Sequence, residues 1–266
     1  MRTRFAPSPN GYLHAGHAFS ALTVWNAAAK AGGEALLRLD DIDQSRARTD
    51  FEAAIYDDLA WLGLTWPHPV RRQSDHMDAY DGALTALSEM GVTYPCFCTR
   101  KTLRLNKNGH YSGTCRSLSE AEKDKRRARG ETPSIRLHAS RALSLLEHPP
   151  RYEDTSAAVS CAQAPLEDAI LARRDIGSSY LLSCVVDDAA QDITHVIRGR
   201  DIQPLTSLQV LLQALLGLPT PVYHHHTLIT DDAQQKLSKS KGSQSIQELR
   251  AGGVSAEQLK ALLAFG

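Results

Sequence analysis

Between Thr3 and Leu62 the chain alternates short apolar runs with helix-patterned stretches, and that order leaves few folds open to it. Thr3–Ala6 reads as a short buried strand ending at Pro7. From about Ala15 to Lys30 the apolar residues Ala18, Leu22, Trp25 and Ala29 recur at helical spacing, and Gly32-Gly33 supplies a stop. Glu34–Leu39 is an apolar run of strand length ending in acids. Thr49-Asp-Phe-Glu52 has the form of a capping box, opening a helix that carries Ile55, Leu59 and Leu62. Strand, helix, strand, helix implies a parallel sheet with right-handed crossovers. Sheets of that kind bind ligands at the carboxyl ends of their strands.

The first strand runs into RFAPSPNGYLHAGH, a Pro/Gly-rich loop followed by a helix start at His14–His17. A helix start offers unpaired N–H groups and a positive dipole end, which suit a polyphosphate. Gly16 lets the backbone approach such a ligand closely, and His14 and His17 can donate hydrogen bonds to phosphate oxygens. Far downstream, KLSKS at Lys236–Ser240 sets Lys236 and Lys239 in a Ser-flanked loop. Flexible ammonium groups there can follow charge developing on a phosphate. Each segment alone is a weak signal; in this order the pair is a strong one.

The 266 residues fit one large domain, or one domain with a modest insertion. An apolar fraction of 42% and a charged fraction of 23% are ordinary for a globular chain with a buried core. The 30 basic and 30 acidic residues balance, which is not the footprint of a protein that coats nucleic acid indiscriminately. MRTRFAPSPN has no apolar signal region, and no stretch reaches the ~18 apolar residues of a membrane span. A cytoplasmic protein with no membrane association is therefore expected. Between Arg100 and Arg129, ten Lys/Arg stand against three acids. That excess reads either as a surface for an RNA backbone or as a solvated helix face. Five cysteines, an odd number, argue against a disulfide framework.

Ser74–Gly91 reads as a helix leading into a Cys-rich, basic stretch that looks like an insertion in the sheet domain. Few periodic signals mark Ala139–Pro165. Tyr180–Val186 has a buried-strand pattern, Asp187–Asp192 reads as a turn, and Thr194–Ile197 as another strand. Asp187-Asp188 and Thr194-His195 suit a turn capping two strands. Thr206–Leu216 is an apolar helix ending at Gly217, and two short helices flank Gly252-Gly253, the second opened by a box at Ser255–Gln258. His224-His225-His226 alternate sides on a strand, so the three do not converge on a metal. The implied plan places the halves of one sheet domain at 1–93 and 166–245, an insertion at 94–165, and a helical tail at 246–266.

RFAPSPNGYLHAGH, LRLDDID at Leu37–Asp43, YLLSCVVDDAAQDITHVIRGRDI at Tyr180–Ile202, and KLSKS together resemble the catalytic domain of class I glutamyl-tRNA synthetases. The resemblance runs from about Arg4 to Ser240. Full-length members continue beyond that point into an anticodon-binding region, whereas this chain soon ends, a layout similar to the truncated glutamyl-Q tRNA(Asp) synthetases. The resemblance implies an α/β, Rossmann-like parallel-sheet catalytic domain with a small zinc-binding, acceptor-type insertion. A short helical C-terminal piece without an anticodon-binding domain completes the implied fold.

The implied activity is a ligase reaction. ATP, accompanied by Mg²⁺, activates L-glutamate to glutamyl-adenylate, and the glutamyl group passes to queuosine at the wobble position of tRNA(Asp). The anticodon loop is then the RNA partner of a monomeric enzyme. Glutamate's α-carboxylate is already ionised, so activation needs positioning and charge neutralisation rather than a general base. By resemblance, His14, Gly16, His17 and Lys239 contact ATP, and His14, His17, Lys236 and Lys239 carry the catalysis. Arg4, Ser8, Asp40, Tyr180 and Arg198 form the implied glutamate pocket: two cations for carboxylates, two hydroxyls, and an acid for the ammonium. Asp40 stands where the family has a Glu, one methylene longer. Cys96-x-Cys98, Tyr111 and Cys115 match the family's zinc pattern, and three thiolates suit a structural Zn²⁺. For the fourth ligand, the resemblance favours Tyr111 and ordinary ligand preference favours His110. Two other functions stay open: a small glutamyl-tRNA synthetase acting on a tRNA 3′ end, and a non-catalytic paralogue that binds ATP or RNA.

Overall fold

The computed structural model describes residues 1–103, 111–156, 160–161, 166–229 and 244–265. The first half of the chain forms β1 (Arg2–Phe5), α1 (Ala15–Lys30), β2 (Glu34–Leu39), α2 (Thr49–Trp61), β3 (Arg71–Arg72) and α3 (Met77–Glu89). Then follow β4 (Thr93–Cys96), α4 (Arg100–Leu103), α5 (Glu120–Ala128), β5 (Ser134–Leu137), α6 (Ala139–Ser144), β6 (Arg151–Tyr152), β7 (Ser160–Cys161) and β8 (Ile170–Ala172). The remainder holds α7 (Tyr180–Ala190), β9 (His195–Gly199), α8 (Thr206–Leu216), β10 (Val222–His226), α9 (Ile246–Ala251) and α10 (Ala256–Leu262).

β1, β2 and β3 pair in parallel, with Arg4 opposite Leu36, and β9 pairs in parallel with β10. The Thr194 N–H donates to the Arg2 carbonyl at 2.9 Å, which brings the start of β9 against β1. The chain therefore leaves β1 in one direction through α1 and returns on its other side at β9. Parallel sheets open a ligand crevice at the carboxyl ends of strands beside such a reversal. One apolar core packs α1 and α2 on the sheet through Leu22, Leu37, Leu39, Ile55 and Leu59, and α9 and α10 add Ile246 and Leu259 to it. A second core gathers α3, α7 and α8 around Leu87, Leu182, Leu211 and Leu212, and seats the antiparallel β4–β5–β8 sheet through Leu137 and Leu171.

Two local expectations are corrected. Tyr180–Val186 is not a strand: it is the start of α7, and Asp187–Ala190 completes that helix rather than forming a turn. Leu181, Leu182, Ser183, Cys184 and Val185 are all buried, so the segment has no polar face to betray its helical period. The second correction is the box at Thr49–Glu52, which does not form. Arg48 is the N-cap, without a side-chain cap bond. Its N–H is held by the Pro9 carbonyl, and the Glu52 carboxylate accepts from Tyr56 and Arg72 instead.

A buried ion network ties β1, β2 and α7 together. Arg4 Nε and Nη2 donate to the two oxygens of Asp188 at 2.9 and 3.2 Å, and Arg38 Nη1 donates to Asp188 Oδ1 at 2.7 Å. Arg38, with no exposed surface, also donates from Nε to Asp40 Oδ1 at 2.8 Å. Neighbouring Asp187 accepts from Arg71, Gln73 and Tyr80. Asp187 and Asp188 are thus anchors inside the fold, not a surface turn. Removing one partner from a buried pair leaves its mate charged and unsolvated. Asp188→Ala should therefore lower the unfolding free energy by about 3–5 kcal/mol, read as a lower midpoint in urea denaturation; an unchanged midpoint would count against this role.

Candidate active site

A cavity of about 370 Å³ opens where the carboxyl ends of β1, β2 and β9 meet the start of α1. Arg4, Ser8, Asp40, Tyr180 and Arg198, the five residues expected around glutamate, all line it, together with Gly16 and His17. His14 lines an adjoining cavity beside Ser245 and Glu248 instead. Lys236 and Lys239 lie outside the described residues, as does His110.

His14 and His17 build the helix start themselves. His14 Nδ1 accepts from the Gly16 N–H at 3.1 Å, and His17 Nδ1 accepts from the His14 N–H at 3.1 Å. The rings lie 3.8 Å apart, centroid to centroid. Two N–H groups expected to await a phosphate are therefore already used. The same bonds fix a tautomer: with Nδ1 accepting, a neutral ring carries its proton on Nε2. Each imidazole thus presents a donor nitrogen on the side away from its cap bond.

The charged residues of the cavity are held in unequal ways. Arg4 spends Nε and Nη2 on Asp188, which leaves only its Nη1 edge for a ligand. Arg198 donates from Nε to His225 Nε2 at 3.2 Å and from Nη2 to Thr206 Oγ1 at 2.8 Å. Its Nη1 is buried and has no hydrogen-bond partner among the described residues. Burial raises the Asp40 pKa to about 6, against the pull of the Arg38 charge. At Asp188 burial also opposes ionisation, but Arg4 and Arg38 outweigh it and hold the group at about 2.

Sequence reading missed Arg38, Asp154, Asp187, Asp188, Thr206 and His225 as parts of this architecture. A signal was present for several of them. Arg38 interrupts LLRL, and Asp187-Asp188 interrupt VVDDAA; a charge inside an apolar run must find a partner when it is buried.

Away from the cavity, Cys96, Cys98 and Cys115 bring their sulfurs within 4.8 Å of one another, the one such set of His, Cys, Asp or Glu among the described residues. Tyr111 joins them: its hydroxyl accepts from Cys96 Sγ at 3.5 Å and from the Cys115 N–H at 2.9 Å. Burial, the Cys115 contact and the adjacent thiols push Cys98 up to about 12. At Cys96 burial raises the thiol, but hydrogen bonds that its thiolate would accept from Tyr111, the Cys98 backbone and Arg136 outweigh it and lower the pKa. Crowded thiols that resist joint ionisation are a donor set that a cation would satisfy. The residues fit a metal. On α5, Lys123, Arg126 and Arg127 are paired with Glu120, Glu131 and Asp124, as a solvated helix face would have them.

The family of class I tRNA synthetases (E and Q), catalytic domain, matches residues 1–265. The chain belongs to this family. It is similar to the glutamyl-Q tRNA(Asp) synthetase of Rhodobacter capsulatus, 41% identical over 99% of both chains. The enzyme of the same name from Nocardia farcinica is 38% identical over 98% of this chain and 82% of its own. Among solved structures, a glutamate tRNA ligase from Elizabethkingia meningosepticum in complex with its amino acid superposes with a TM-score of 0.75 at 29% identity. That match covers 91% of this chain and 52% of the ligase, so the chain spans about half the length of that solved relative. The α/β, parallel-sheet expectation is borne out. No helix among the described residues is long and apolar enough to cross a membrane.

The cavity carboxylate of Asp40 and the buried carboxylate of Asp188 behind it shift in opposite directions, and linkage gives each a sign. Asp188, lowered to about 2, contributes stability that is present above the ordinary carboxylate range and lost as pH falls through about 2. Asp40, raised to about 6, contributes stability below the ordinary range that is lost as pH rises through about 6. Carboxyl-carbon NMR of aspartate-labelled protein should find midpoints near 6 for Asp40 and Asp58, of which one vanishes in Asp40→Asn, and an unaltered pair in that variant would contradict the assignment.

Proposed function

We propose that the chain is a ligase that activates L-glutamate with ATP and transfers the glutamyl group to queuosine in the anticodon loop of tRNA(Asp). The observation that carries the activation step is the meeting of Arg4, Ser8, Asp40, Tyr180 and Arg198 with Gly16 and His17 around one cavity. Two guanidinium groups match the two carboxylates of glutamate, and the Asp40 carboxylate matches its ammonium. The open Nη1 of Arg198 is a donor that a glutamate carboxylate would complete. The choice of acceptor is supported by similarity to glutamyl-Q tRNA(Asp) synthetases over nearly the whole chain.

In the first step a glutamate α-carboxylate oxygen attacks the α-phosphorus of ATP and pyrophosphate leaves. His17 and His14, with their protons on Nε2, donate to phosphate oxygens, and Gly16 admits the phosphates close to the backbone. Lys236 and Lys239 supply positive charge for the transition state. Mg²⁺ accompanies ATP as its counterion. In the second step a hydroxyl of the queuosine cyclopentenediol attacks the acyl carbon of the adenylate, an ester forms, and AMP leaves. An adjoining cavity of about 250 Å³ shares Ser8, Asp40 and Tyr180 with the first, which suits an acceptor arriving beside the activated carbonyl. RNA recognition of this kind works through loop shape and stacking. We further assign residues 94–165 as an insertion between the halves of the catalytic domain, braced by Zn²⁺ on Cys96, Cys98, Cys115 and Tyr111. A bound zinc would neutralise the thiolates and crosslink an insertion with little core of its own. The protein is proposed to act as a cytoplasmic monomer.

Three measurements test this reading. Labelled glutamate should be esterified to queuosine-bearing tRNA(Asp) and not to the same tRNA lacking the modification; equal labelling of both at the 3′ ribose overturns the acceptor assignment. The KM for glutamate should climb as pH drops below about 6, because protonated Asp40 no longer pairs with the ammonium. Purified protein should contain stoichiometric zinc by elemental mass spectrometry, and Cys98→Ser should lose it together with thermal stability; full retention of metal in that variant would sink the thiolate site.

A further inference from the structure

A chain of buried polar contacts runs from Arg198 away from the cavity and ends at an aspartate in a segment whose sequence gave few signals. Arg198, Thr206, His225 and Asp154 are each no more than 5% exposed. Arg198 Nε donates to His225 Nε2 at 3.2 Å, and on the far side of the same ring Nδ1 lies 2.6 Å from Asp154 Oδ2. Since Nε2 receives the Arg198 N–H, the ring proton belongs on Nδ1, where it is donated to Asp154. Burial lowers the His225 pKa, more than the Asp154 contact raises it, so the ring keeps a lone pair on Nε2.

Asp154 is held in the one state that serves this arrangement. Its Oδ1 accepts from the Ser156 N–H at 3.0 Å and from the Ser156 hydroxyl at 2.6 Å. Its Oδ2 accepts from His225 and, at 3.4 Å, from Gln203 Nε2. Both oxygens therefore face donors only. An asparagine in this place must turn its NH₂ either toward the Ser156 N–H or toward His225, and the second orientation drives the ring proton onto Nε2, opposite the Arg198 N–H. The backbone reinforces the same register: the His225 N–H donates to Ser156 Oγ at 3.2 Å, and Thr155 N–H to the Tyr223 carbonyl at 2.9 Å. With Nε on His225 and Nη2 on Thr206, the guanidinium plane is fixed and Nη1 is the remaining donor.

We propose that Asp154 and His225 are positioning residues for glutamate recognition: Asp154 sets the His225 tautomer, and His225 aims the Arg198 guanidinium into the cavity. The proposal rests on the functional reading above, in which Arg198 grips a glutamate carboxylate. The pair touches neither substrate. It limits the freedom of a cation whose misplacement by a fraction of an ångström would weaken a bidentate or in-plane contact.

The test is glutamate-dependent ATP–pyrophosphate exchange by the full chain, with queuosine-bearing tRNA(Asp) present and glutamate and ATP varied separately. Asp154→Asn and His225→Phe should raise the KM for glutamate about 10- to 100-fold and leave the KM for ATP within about twofold. His225→Gln keeps a donor and an acceptor on one planar group and should recover most of the loss seen in His225→Phe. Thermal midpoints are measured alongside, and Thr206→Val, which removes the hydroxyl that meets both Arg198 Nη2 and His225 Nε2, should raise the glutamate KM alone if the Asp154 and His225 variants do not fold, an unchanged value overturning the positioning role. An unchanged glutamate KM, or equal increases for glutamate and ATP, overturns the positioning role while wild-type exchange upholds the functional reading. Absence of glutamate-dependent exchange in the wild-type chain overturns both.

Discussion

Arg38 sits with no exposed surface between Asp40, just past the end of β2, and Asp188 on α7, and much of the architecture depends on that junction. Asp188 also takes the Arg4 guanidinium, so one carboxylate joins β1, β2 and α7. Charges so deep are tolerated only where each has a partner. The arrangement fixes more than the fold. Arg4 and Asp40 face the cavity while their inner edges are held by the network, so two recognition groups are oriented before any ligand arrives. Preorganisation of this kind reduces the ordering that binding would otherwise require.

The other wall of the cavity is built by a neutral route. Arg198 meets a histidine ring, a threonine hydroxyl and the face of Tyr223, whose centroid lies 5.3 Å from the guanidinium carbon. One cation is therefore braced by charge and the other by hydrogen-bond direction. The contrast is chemically sensible: a guanidinium fully neutralised by a carboxylate has less charge to offer a ligand than one held by neutral groups. Arg198 retains the stronger pull on an incoming anion.

Much of this was legible in the residues. The alternation of β1, α1, β2 and α2 followed from period and punctuation, and α8 was placed by its apolar spacing and by Gly217, which takes φ +64 where the helix ends. The five residues expected around glutamate came from resemblance, and they meet around one cavity. What could not be read was anything decided by packing on all sides. Residues Leu181–Val185 are apolar at every turn because α7 is enclosed, so their period carried no information. Thr49 looked like a cap, but the loop before it is fixed by Pro9, a contact that sequence spacing does not reveal. The middle histidine of the triplet meets its partner only because the fold brings Asp154, far away in the chain, against it.

Of the Arg198 nitrogens, Nε and Nη2 are matched among the described residues and Nη1 is not, which marks a point of local frustration on the cavity wall. Replacing Arg198 with an apolar residue would remove that nitrogen but would also take a donor away from His225 Nε2 and Thr206 Oγ1. An anionic occupant would instead turn the same nitrogen into a source of cohesion.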